Sequence, residues 1–137
     1  MAAHTLETRA APSCLDEVHA LFEELWLDVP DVAATDRMAF QTAVAEVAAN
    51  IVEHAAKGRD VSLRLVLEAG EEQVEAHLED GGYPYDDAAD AAEAGAGDEL
   101  AEHGRGLVIA RALTDELVYQ RDGALNRWYL TRRRAAP

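Results

Sequence analysis

The chain has one cysteine among its 137 residues. Cys14 therefore has no intrachain partner, a disulfide framework is excluded, and a reducing compartment is the expected setting. Basic side chains are scarce as well. Twelve Lys and Arg stand against 27 Asp and Glu, a formal net charge of −15. A surface that tracks phosphates needs clustered cations, so direct nucleic-acid binding is not expected. The one basic run, Arg132-Arg133-Arg134, reads as the start of a solvated tail over 132–137. No apolar run approaches the roughly 20 residues of a membrane-spanning helix. The opening Met-Ala-Ala-His-Thr-Leu-Glu lacks the basic-then-apolar order of a secretory signal. A cytoplasmic domain with no membrane partner is the expectation. Several reaction signatures are also missing. There is no Walker-type Gly-Lys-Ser/Thr phosphate loop and no serine in a nucleophile elbow. His4, His19, His77 and His103 do not combine with Cys14 at zinc spacing, and Asp86, Asp87, Asp90 and Asp98 are too irregular for a calcium loop.

What is present is enough apolar residue, nearly half the chain, for one domain with a real core. His4–Arg9 alternates weakly, as a first strand would. From Pro12 onward Leu15, Val18, Phe22, Leu25 and Trp26 recur at helical spacing, and Val29-Pro30-Asp31 ends that helix. Thr35 or Asp36 is the expected N-cap of a second helix. Its buried stripe is Phe40, Val44, Val47, Ile51 and Ala55, and Gly58 is its stop. Val61–Leu67 and Val74–Leu78 alternate with period two around Ala69-Gly70-Glu71-Glu72, an antiparallel hairpin. Leu107–Leu113 suggests a short third helix. Leu117–Gln120 and Asn126–Thr131 flank the turn Arg121-Asp-Gly-Ala. The sum is an α+β two-layer sandwich over a single domain, 1–137. It has one mixed, mostly antiparallel sheet of about five strands, with three main helices on one face.

Three segments carry chemistry. Glu46 and Asn50 are four apart on the second helix, so they share a face about 6 Å apart at Cβ. An amide oxygen suits a hard cation such as Mg²⁺, and a carboxylate one turn away can accept a proton. Asparagine in mid-helix lowers helix propensity, which favours a purpose. Taken alone, the pattern also describes a polar helix edge that meets only solvent. Asp80 ends a strand and precedes Gly81, Gly82 and Pro84. Its carboxylate can accept a hydrogen bond from an exocyclic amine such as adenine's, and glycine lets backbone approach a flat ligand. An ordinary Asp-Gly-Gly turn reads the same way. Gly104-Arg105-Gly106 opens the third helix, where free N–H groups favour phosphate and Arg105 can neutralise it. His54 lies on the Asn50 side of its helix, within reach of phosphate or Asn50, although a histidine simply closing the helix reads the same way.

In order, these segments resemble the N box and two glycine boxes of the GHKL ATP-binding superfamily. Most of all they are similar to the anti-sigma factor serine/threonine kinase family of bacteria. Ala43–Ala55 resembles the N-box helix. Asp80-Gly-Gly-Tyr-Pro-Tyr-Asp86 fits D-x-G-x-P-F-D, with Tyr85 in place of phenylalanine. Gly104-Arg-Gly-Leu107 fits the G-x-G-L helix. The resemblance implies a magnesium- and ATP-dependent kinase that phosphorylates a serine of an anti-anti-sigma STAS partner and sequesters a sigma factor, with a homodimer as family precedent. It implies Glu46 as general base, Asn50 as Mg²⁺ ligand and Asp80 as reader of adenine. Gly82 would line the base and ribose side and Gly104 and Gly106 would hold the phosphates; Pro84, Tyr85 and Leu107 join the nucleotide-binding set, and 87–103 would be the ATP lid. Two alternatives stay open: a nucleotide-binding module that captures a partner without phosphotransfer, and a signalling circuit with no sigma factor.

Overall fold

A computed structural model describes residues 2–85 and 106–135. It has five strands: β1 (Ala2–Arg9), β2 (Ser62–Ala69), β3 (Gln73–Asp80), β4 (Glu116–Asp122) and β5 (Leu125–Arg133). They form one sheet in the order β1-β2-β3-β5-β4, and all four pairings are antiparallel. Side chains alternate across a strand, so one face collects the apolar set. On β2 that set is Leu63, Leu65, Leu67 and Ala69, and on β3 it is Val74, Ala76 and Leu78, with Asp80 on the same face. The register holds the two sets together by placing Leu65 opposite Leu78 and Leu67 opposite Ala76.

Two long helices cover that face. Helix α1 (Cys14–Asp28) lies on β1, and α2 (Ala34–Asn50) lies on β3 and β5. Phe22 of α1 meets Phe40 of α2 edge to face at 5.9 Å and stacks on Trp26 at 5.6 Å. Both phenylalanines are fully buried, and each contributes about 2–3 kcal/mol of apolar transfer. A third helix, α3, runs over 106–112 and adds Leu107 and Ala110 to the core. The expected α+β arrangement, one sheet with helices on one face, is therefore present, but the described strands pair antiparallel throughout rather than as a mixed sheet, because each neighbouring pair runs in opposite directions. None of the described helices is long and apolar enough to cross a membrane.

Two local expectations change. The N-cap of α2 is Ala33, which makes no side-chain capping bond. Asp36 sits inside the first turn, 3% exposed, because Arg132 Nε donates to it at 2.9 Å and the Ala135 N–H at 2.8 Å. Those contacts also overturn the solvated-tail reading of the arginine run. Arg132 belongs to β5 and donates to the Leu113 carbonyl as well, while Arg134 donates to the Gly70 carbonyl and pairs with Asp31 at 2.8 Å. In so acidic a chain, scarce cations meet buried or nearby carboxylates rather than water. Burial pushes the Asp36 carboxyl up, but the Ala135 N–H and Arg132 outweigh it and hold the group below its ordinary value.

The second helix also continues past Asn50. Residues Ile51–Ala56 are π-helical, and the Lys57 N–H closes onto the Val52 carbonyl five residues back. Lys57 and Gly58 then take left-handed φ values of 48° and 78° and stop the helix.

Candidate functional site

Asp80 ends β3 at 1% exposure. Its Oδ1 accepts from the Gly82 N–H at 2.8 Å and from Asn126 Nδ2 at 2.9 Å. Its Oδ2 is buried and has no partner among the described residues. A buried carboxylate oxygen without a donor is costly, and this one is aimed by a fixed network. Asn126 Nδ2 donates onward to the Tyr83 carbonyl at 2.8 Å. Its Oδ1 accepts from the Tyr119 hydroxyl at 2.5 Å and from Arg121 Nη1 at 3.0 Å. The Tyr119 hydroxyl in turn accepts from the Tyr85 N–H at 2.9 Å. Donors on one side of the amide and acceptors on the other fix its orientation. Burial pushes the Asp80 carboxyl up, against the opposing pull of Asn126, the Gly82 N–H and Arg121.

The π-helical turn joins α2 to this loop. Its Ala55 carbonyl accepts the Tyr83 N–H at 2.9 Å. Gly82 is pressed against the same group: a Cβ there would lie 2.5 Å from the Ala55 oxygen and 2.6 Å from its carbonyl carbon. Glycine is required by that approach. Tyr83 is held from its other side by Arg59, whose guanidinium lies 3.7 Å over the ring.

Glu46 and Asn50 are both half-buried near the C-terminal end of α2. A Cβ on Gly106 would stand 2.7 Å from Glu46 Oε2, so the first residue described in α3 touches the carboxylate. Segments 60 residues apart thus meet at Glu46, as Asp80 and Asn126 meet across β3 and β5. An unpartnered acceptor, backbone cleared of Cβ atoms and an oxygen-donor pair on α2 fit a flat base with an exocyclic amine and a hard cation.

The remaining candidates fall at different places. Tyr85 packs in a ring cluster with Tyr119 at 5.3 Å and Trp128 at 5.1 Å, and Pro84 is exposed beside it. Leu107 sends its side chain into the core at 2% exposure. His54 Nε2 lies 3.7 Å from Glu53, at the end where the helix is already π-wound. Gly104, Arg105 and the segment 87–103 expected as the lid lie outside the described residues. Three residues of the network were not foreseen: Tyr119, Arg121 and Asn126. Asn126 had a signal, because it shares the inward register of Trp128 and Leu130 and is the polar member of that buried set.

The model of the histidine kinase-like ATPase domain family matches residues 8–131. No curated protein matches the chain. Among solved structures it is similar to the crystal structure of the RsbU and RsbW domains of Rv1364c from Mycobacterium tuberculosis, with a TM-score of 0.68 and 22% identity. That likeness covers 100% of this chain and 34% of the other, so the chain spans about a third of that protein's length. It is also similar to the catalytic domain of the histidine kinase ThkA, with a TM-score of 0.50 and 17% identity over 95% of each chain. At these identities the two likenesses establish the fold. With the family model matching nearly its whole length, the chain belongs to the histidine kinase-like ATPase domain family.

Proposed function

We propose that this chain is an ATP-dependent protein serine/threonine kinase acting as an anti-sigma factor. It would phosphorylate a serine of a STAS partner and sequester a sigma factor when that partner is modified. The observation that carries the ATP part is the buried, unpartnered Oδ2 of Asp80, an acceptor fixed where an adenine amine can donate. Gly82 leaves room for the base, and Gly104, Gly106 and the Leu107 backbone would receive the phosphates. Arg105 would supply positive charge there. Pro84 and Tyr85 would shape the base side, and His54 would lie towards the phosphates.

Asn50 would hold Mg²⁺ through its amide oxygen, and the ion would supply charge neutralisation for the transferring phosphoryl group. Glu46, held beside Gly106, would accept the proton of the acceptor serine as its oxygen attacks the γ-phosphorus, and the bond from that phosphorus to the bridging oxygen would break to release ADP. The rest of the work is positioning. The family match supports ATP use, and the RsbW-containing neighbour supports the partner-switching reading through shared fold. Cytoplasmic action, and a homodimer as the working unit, complete the proposal.

The decisive experiment uses labelled ATP and a STAS protein recovered with this chain by pull-down. Glu46→Gln should abolish transfer of the γ-phosphate while ATP binding survives. Transfer at the wild-type rate would remove Glu46 as the base.

A further inference from the structure

None of the described helices covers the sheet's other face, and its register sorts side chains into rows. One row alternates in charge: Glu7, Arg64, Glu79 and Arg127 stand on successive neighbouring strands, paired at 3.4 Å as Arg64–Glu7 and Arg127–Glu79. Four residues further along the strands the balance fails. Glu68 and Glu75 are direct cross-strand partners, an arrangement that repels. Among the described residues neither is paired with an arginine or lysine.

His77 lies two residues along β3 from Glu75 and completes a mixed nitrogen and oxygen set. One donor atom from each of Glu68, Glu75 and His77 lies within 4.8 Å of the other two. The Glu75 carboxylate is already oriented. Its Oε1 accepts from Gln73 Nε2 at 2.5 Å and from the Tyr129 hydroxyl at 3.1 Å. That leaves Oε2 turned to His77 Nε2 at 3.9 Å, too long for a hydrogen bond. Tyr129 also packs against the imidazole at 4.8 Å between ring centres. Two ligands bound at about 2.1 Å to one tetrahedral ion stand about 3.4 Å apart, so small rotamer shifts close the gap.

We propose that Glu68, Glu75 and His77 form a binding site for a divalent transition-metal ion of the zinc type on the open face of the sheet. One imidazole and two carboxylates suit such an ion, whereas Mg²⁺ and Ca²⁺ prefer oxygen alone. Gln73 and Tyr129 act as the outer shell that sets the Glu75 carboxylate. A bound ion pins β2 to β3 and cancels the carboxylate repulsion. The site is independent of the nucleotide pocket, since its side chains point to the opposite face from Asp80.

The test is titration of the full chain with zinc chloride alone, free of magnesium and nucleotide, by calorimetry and by thermal melting. Saturation at one equivalent per chain, with a rise in Tm, is expected. His77→Ala and Glu75→Gln should each weaken uptake about tenfold or more and remove the rise in Tm. His19→Ala, which removes the exposed His19–Glu23 pair on α1, should change neither. Unsaturable uptake overturns the site, as does wild-type uptake by His77→Ala, or loss of uptake in His19→Ala.

Discussion

Replacing Asp80 by asparagine should turn the base pocket against adenine while leaving its shape intact. Oδ1 of Asp80 sits between two donors, the Gly82 N–H and Asn126 Nδ2. In the variant the amide oxygen must take that place, which puts the NH₂ group where the unpartnered Oδ2 now lies. Adenine's amine then meets a donor instead of an acceptor. A hydrogen bond to a charged acceptor is worth about 1.5–3 kcal/mol, and a donor left unsatisfied costs about 1–3 kcal/mol more. At about 1.4 kcal/mol per decade, the Kd for ATP should rise about a hundredfold or more. Guanine presents an oxygen where adenine presents an amine, so the preference for ATP over GTP should vanish or reverse. Calorimetry with both nucleotides reads this directly.

The same substitution should stabilise the nucleotide-free protein. Burial raises the Asp80 carboxyl above its ordinary 3.8, so the ionised form costs stability at neutral pH. That cost disappears as pH falls through the folded-state value. D80N should therefore melt higher than wild type at pH 7 without nucleotide, with the difference shrinking in acid. An unchanged ATP affinity would refute the assignment of Oδ2, and a lower Tm at pH 7 would refute the account of its buried charge.

Two further substitutions test the frame around the site. Gly82→Ala places a methyl 2.5 Å from the Ala55 carbonyl oxygen; neither backbone can yield cheaply, so unfolding in urea should show a loss of about 2 kcal/mol or more, and an unchanged midpoint would remove the close approach. Asp36→Asn should cost about 1–3 kcal/mol at pH 7, less than a fully buried pair, because 23% of the Arg132 side chain remains exposed. The Asp36 carboxyl is held below its ordinary 3.8, so its contribution is present above that pH and lost as pH falls through the folded-state value. Melting curves of D36N and wild type should therefore converge in acid, and a constant gap would refute the pairing.

The regular elements were legible in the sequence because their cause is local. Leu63, Leu65 and Leu67 alternate wherever the strand pairs, and Phe40, Val44 and Val47 keep helical spacing whatever they pack against. Asp80, Gly82, Glu46 and Gly106 could be named from short motifs, and the fold does bring Gly82 to Ala55 and Gly106 to Glu46. What the sequence hid has distant causes. The π turn after Asn50 exposes an Ala55 carbonyl that serves Tyr83 N–H, a partner from beyond β3. Asp36 has the residue type and position of a cap, and only Arg132 explains its burial. Glu68 and His77 show no ligand spacing along the chain, because register across a hairpin is what unites them.

Asp36 also sets the order in which the domain can close. Its partner cation, Arg132, is made 96 residues later. During synthesis the base of α2 must keep its acid in water until β5 has cleared the ribosome. The helical layer can collapse early on Phe22 and Phe40, but the seal between the two layers waits for β5, and a nascent chain stalled before β5 holds an open seam there.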